Sequence, residues 1–165
     1  MRFLKIIDTI NDWVARLFSP VLILIMLIAA YEVFRRYVLT NPTTWAWEIN
    51  AQLMCFIGAL AGGYALLKKA HVSVDIVYSR FSAKIKALLD IITSPLFFIF
   101  TGALIWFGFK EAHRAYVVHQ KVISQFASPL WPIKTIIAIG AVLIFLQGVA
   151  KLIRDILTLL GKDRA

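Results

Sequence analysis

Apolar positions recur along this chain in two patterns. Over residues 3 to 18, Phe3, Leu4, Ile7, Ile10, Trp13, Val14, Leu17 and Phe18 fall at helical spacing, with Arg2, Lys5, Asp8, Asn11, Asp12 and Arg16 between them. That alternation predicts an amphipathic helix at a membrane surface. Beyond it the apolar positions merge into four runs, over about 20–39, 45–67, 87–109 and 131–153, each close to the roughly 20 residues that cross about 30 Å of hydrocarbon. Ser19-Pro20 supplies a cap and a first-turn proline for the first run, and Asn41-Pro42 ends it. Lys68-Lys69 closes the second, Ser94-Pro95 predicts a kink in the third, and Trp131-Pro132 opens the fourth. The fold class is therefore an all-α integral membrane protein with four transmembrane helices plus amphipathic interfacial helices, forming a single membrane domain over 1–165.

Two connections are less regular. In the segment 68–86, Val72, Val74 and Ile76 alternate with polar residues as a strand would. A lone strand between membrane helices would have no partner, so the segment 70–86 is read as a short interfacial helix and loop. Lys110 to Leu130 reads as a polar connection between the third and fourth spans.

Composition agrees with lipid as the main solvent. The chain of 165 residues is 61% hydrophobic and 16% charged, with a mean hydropathy of +0.80, more apolar surface than a soluble domain of this size can hide. The first apolar run follows a charged segment and is followed by others, which fits a cleaved signal peptide poorly. A net charge of +9 would raise nucleic acid as a partner, but the basic residues gather at the ends of apolar runs, where they report topology. Twelve Lys and Arg fall in the N-terminal segment, the 68–86 loop and the C-terminus, against six on the other side, which places both termini in the cytoplasm. Cys55, the single cysteine, lies in an apolar run; it excludes an intrachain disulfide or a CxxC pair and reads as a small core residue.

The candidate chemistry centres on Tyr31 to Glu48. Glu32, Arg35 and Arg36 stand at i, i+3 and i+4, and Glu48 follows across a short turn. A charge at a span centre costs about 2.5–3.5 kcal/mol, so these four should pair with one another or bind something else. One reading is a neutral structural quartet in which Glu48 takes the arginine that Glu32 leaves; the other is a docking patch for a partner outside the membrane. Along span two, Glu48, Gln52, Cys55, Ala59, Gly62 and Gly63 share a face that is polar outside and small inside. Such a face suits close helix packing, within the chain or against another. His71 sits at the cytoplasmic end of span two, and His113 and His119 lie beyond span three. None is within a span, as haem ligation between helices would need, and a six-residue separation does not align a metal-binding pair. No catalytic constellation, cofactor site or charged route through the spans is evident, which speaks against an enzyme and against transport by this chain alone.

Glu32-Val-Phe-Arg35-Arg36-Tyr37, Asn41-Pro42-Thr-Thr-Trp45-Ala-Trp-Glu48, His71-Val-Ser-Val-Asp75 and Ser124-Gln-Phe-Ala-Ser128-Pro129-Leu-Trp131-Pro132 resemble, in this order over nearly the whole chain, the small membrane subunit (DctQ-type) of tripartite ATP-independent periplasmic (TRAP) transporters. The resemblance implies a multi-pass protein of the bacterial inner membrane whose partners are a large membrane subunit, a periplasmic solute-binding protein and the lipid bilayer. It also implies that the large subunit holds the sodium and substrate sites for uptake of a carboxylate-type solute. The small subunit would brace the large one and help dock the receptor, with His71 and Asp75 in a family motif at the cytoplasmic interface.

A self-sufficient small four-helix proton-coupled exporter is the rival reading, since Glu32 lies in the first span. Arg35 and Arg36 on the same face would keep that acid occupied.

Overall fold

The computed structural model describes residues 2–68 and 81–160. Its helices are α1 (Arg2–Phe18), α2 (Val21–Tyr37), α3 (Ala46–Leu67), α4 (Ala83–Val117) and α5 (Trp131–Leu159). Four helical stretches are long and apolar enough to cross a membrane: 2–37, which joins α1 and α2, then α3, 84–117 and α5. His71, Asp75 and the alternation at 72–76 lie outside the described residues.

Local chemistry accounts for the boundaries. Pro20 sits at the start of α2, and Pro132 occupies the first turn of α5, where its missing N–H has no intrahelical partner to lose. Ser82 caps α4 by accepting from the Ile85 amide at 3.5 Å. Pro95 cannot donate to the Ile91 carbonyl four residues back; the Ser94 hydroxyl donates to that carbonyl instead, at 2.8 Å, and α4 continues through the proline.

Two helices outrun their sequence-predicted spans. α4 covers 35 residues, about 52 Å at 1.5 Å per residue, and thus extends beyond 87–109 at both ends. Its last two turns keep a helical stripe of small residues, Gly108, Ala112 and Ala115, of which both alanines are buried. This stripe carries the helix through the stretch expected to be a polar connection. α5 likewise continues to Leu159.

Helix α1 is more than a surface float. Leu4, Ile7 and Asn11 form one buried stripe, while Phe3, Ile6, Ile10, Trp13 and Leu17 form a second, exposed stripe. The inner stripe packs with Ala150, Leu146 and Ile153 of α5. The apolar residues that predicted one membrane-facing side therefore divide between the bundle and its surroundings.

α5 is the centre. It packs against α4, α3 and α1, while α2 packs on α3 and buries none of its residues. The contacts are built from small residues: Gly140 lies on the Ala59 backbone, Gly108 on Ala138, and Gly148 beneath the Phe97 ring. Among the described residues, seven of the eleven buried apolar side chains are alanines, whereas Met26, Trp106, Ile99 and Leu96 are at least 70% exposed. Large apolar groups outside and small ones inside are what helices in lipid require, because hydrocarbon does not drive them together and close backbone approach must.

Gly140→Leu should lower the unfolding temperature in detergent, because a side chain there meets the Ala59 carbonyl, which cannot swing away; overpacking of this kind costs about 1–3 kcal/mol. Gly58→Leu should leave that temperature unchanged, since a Cβ at Gly58 meets nothing within 4 Å. Equal losses for the two variants would contradict this packing.

Candidate functional site

The end of the bundle that carries the α2–α3 loop (38–45) and the α4–α5 loop (118–130) is held by two carboxylates, one per loop. Glu48, in the first turn of α3, is 7% exposed. It accepts from the Ser128 amide at 2.8 Å and from the hydroxyls of Ser124 and Ser128. Gln52, one turn on, donates to the Ser128 hydroxyl at 2.5 Å, and the Ala127 amide donates to Ser124 at 2.9 Å. The position is also favourable for an acid because the N-terminus of a helix presents unpaired amides and the positive end of its dipole. The loop itself is doubled back by Val122 amide to Ser128 carbonyl and Leu130 amide to Gln120 carbonyl bonds, at 2.9 and 3.0 Å.

Glu32 does the same for the other loop. It accepts from Arg36 at 2.7 Å, from the Thr43 amide at 3.0 Å and from the Thr43 hydroxyl. Arg35 donates instead to the Asn41 carbonyl at 3.0 Å, and the Asn41 amide returns a bond to the Arg35 carbonyl at 3.0 Å. The Tyr31 and Trp45 rings stack across the same turn, 6.2 Å between centroids.

The quartet expected from spacing is thus two separate clamps. Glu32 and Arg36 pair, but Glu48 does not take Arg35 or Arg36. The reason is that α3 turns the Glu48 side chain toward the 118–130 loop, whose hydroxyls and amide satisfy a carboxylate without a cation. The two serines were visible in the 124–132 motif; no local periodicity tied them to an acid 76 and 80 residues away.

The predicted small face of α3 also divides. Gln52 holds the loop, Ala59 meets Gly140, Gly62 meets Ile144, and Gly63 lies against Asn11 and the Leu143 carbonyl. Cys55 is exposed rather than part of a core. The steps of this stripe alternate between four and three residues, so rotations of about +40° and −60° nearly cancel and its members stay within one arc; which of them is covered depends on where along α3 the neighbouring helices approach.

Polar groups at the other end also join helices. Asn11, 1% exposed, donates to Gln147 at 2.9 Å; Gln147 donates to Asp8 at 3.0 Å; and Arg154 closes on Asp8 at 2.5 Å. Lys151 bridges Asp90 at 2.5 Å and Asp155 at 3.6 Å. Asn11 and Gln147 escaped the sequence reading, although a lone amide inside the apolar run of α5 is the kind of residue that needs a buried partner.

Residues 25–158 match the sequence model of the family described as tripartite ATP-independent periplasmic transporters, DctQ component. The chain belongs to this family. With its four apolar helices it is a multi-pass membrane protein. It is similar to the sialic acid TRAP transporter permease protein SiaT of Haemophilus influenzae (strain 86-028NP), 24% identical over 112 residues, which cover 68% of this chain and 18% of that protein. It is also similar to the sialic acid TRAP transporter small permease protein SiaQ of Vibrio cholerae serotype O1, 20% identical over 110 residues, 67% of this chain and 62% of that protein. The chain thus spans less than two thirds of the length of either relative.

Glu48→Ala should release the 118–130 loop, because it leaves the buried Ser128 amide and two hydroxyls without their acceptor; a hydrogen bond to a charged group contributes about 1.5–3 kcal/mol. Limited proteolysis in detergent should cut this loop faster in Glu48→Ala and in a Ser124→Ala/Ser128→Ala double variant, and no faster in Arg35→Ala. Loop protection lost in Arg35→Ala alone would restore the four-charge cluster.

Proposed function

We propose that this DctQ-family chain is the small membrane subunit of a TRAP transporter, catalyses no reaction itself, and serves as a fixed frame for a large membrane subunit that moves the solute. One observation carries the reading. Polar side chains fasten helix to helix and loop to helix in the Asn11–Gln147–Asp8–Arg154 chain and the two carboxylate clamps. Among the described residues these groups lie toward the two ends of the bundle rather than in a file through the hydrocarbon. The outer surface is formed by large apolar side chains of α1, α2 and α4.

Several features support the partners. The counterpart of this chain makes up 18% of the Haemophilus permease, which fits a small unit working with a much larger one. The loop end carries Arg35, Arg36, Lys110, Arg114, Lys121 and Lys134 against Glu32, Glu48 and Glu111, a basic surplus suited to a soluble receptor with an acidic face. Both relatives' names carry sialic acid, itself a carboxylic acid; this supports uptake of a carboxylate-type solute, driven by sodium through sites in the large subunit. Glu32, the acid a proton-coupled exporter of this size would use, is occupied by Arg36 and Thr43. The twelve-to-six distribution of basic residues supports an inner-membrane orientation with both termini cytoplasmic and the loop end periplasmic.

In a Cys55→Ser background, Thr43→Cys should react with an impermeant thiol reagent added outside the inner membrane and Ser82→Cys should not; the opposite pattern inverts the orientation.

Reconstituted alone under a sodium gradient, the chain should take up no solute. Together with a large subunit and receptor it should support uptake. Replacing the exposed Gly58 by Leu should lower co-purification with the large subunit while the isolated chain stays folded. Full uptake by the large subunit and receptor without this chain would remove the framing role.

A further inference from the structure

Between α4 and α5, toward the loop end, the surface opens into a trough of about 370 Å³, lined by Phe100, Ala103, Leu104, Phe107 and Ile137. Its origin is local. Gly108 lets α4 approach Ala138 closely, so the two backbones converge there, while the long side chains of Phe100 and Phe107, 65% and 59% exposed, stand up as a wall. The trough lies between two helices that are each long and apolar enough to cross a membrane, and its apolar lining suits an occupant from the bilayer or another membrane chain.

Its loop end is charged. Lys134 Nζ meets Glu111 at 3.2 Å and Gln120 at 2.9 Å, which uses two of its three donors. Arg114 meets Glu111 at only 3.7 Å and is 73% exposed. One acid therefore faces two cations, and the rim keeps a positive surplus at the end of an apolar trough. An apolar trough that ends at a cationic rim matches a lipid, in which a charged head and an apolar chain are joined end to end.

We propose that this trough binds one anionic phospholipid, its acyl chain along Phe100 to Phe107 and its phosphate at Lys134 and Arg114. The charge complementarity of the rim selects the headgroup, and the trough selects the chain. The site is independent of the transporter reading, because it needs only this subunit and a bilayer lipid.

The test uses the full chain in a neutral detergent, titrated with phosphatidylglycerol, with phosphatidylcholine of the same chains, and with glycerol phosphate, which has a head and no chain. Native mass spectrometry counts bound lipid. Phosphatidylglycerol should give one retained lipid in clear preference to phosphatidylcholine, and glycerol phosphate should not bind. Arg114→Gln should reduce the preference about fivefold, the effect of one basic residue near an anionic surface. Ala103→Trp, at an exposed position that lines the trough, should abolish retention of the lipid with no change in unfolding temperature. Equal retention of the two lipids, or unchanged retention in Ala103→Trp, would overturn the proposal. So would an Ala103→Trp variant that keeps the lipid but no longer co-purifies with a large subunit, which would assign the trough to a partner helix.

Discussion

Hydrocarbon removes the force that holds soluble helices together, and everything else in this protein follows from that loss. Apolar side chains gain nothing by moving from lipid to a protein interior of similar polarity, so cohesion must come from close contact and from hydrogen bonds made where water cannot compete. α5 supplies both. Gly140, Ala138 and Gly148 bring α3 and α4 against it, and Gln147 takes a buried bond from Asn11 of α1. Its neighbours can then turn their large side chains outward without cost.

The same constraint explains where the charges lie. Four of the described acids are satisfied by a partner on another element or across a loop: Glu48 by the 118–130 loop, Glu32 by Arg36 and Thr43, Asp8 by Arg154, Asp90 by Lys151. These contacts fasten loops and helix ends to the bundle. A carboxylate tied by two hydroxyls and an amide needs no cation, so Arg36 is left to Glu32 and Arg35 to the Asn41 carbonyl. α2 is the exception to the tight bundle. Resting on α3 with no buried residue, it presents nearly its whole circumference to its surroundings.

The spans, their order and the family were legible because membrane thickness sets run length, because prolines and caps act locally, and because the motifs carrying the resemblance are contiguous. The ends of the spans were less so. α4 continues past Lys110 because Ala112 and Ala115 find a buried surface, and that surface belongs to the fold rather than to the local pattern. Likewise the face from Gln52 to Gly63 could be recognised as small but not apportioned, since spacing gives no sign that Cys55 is left exposed while Ala59 meets Gly140.

What the sequence determined by itself was therefore the one-dimensional part: that four stretches are long and apolar enough to cross, and that Glu32 has two arginines within one helical turn. Only the tertiary structure decided who answers Glu48, which amide meets Gln147, and which glycines lie under a neighbouring helix. Spacing along one helix constrains angles about that helix alone, whereas the partners of Glu48 and the amide that meets Gln147 lie 76 to 136 residues away. Their meeting depends on how three helices are rotated against one another, and that rotation is set by all their small-residue contacts at once.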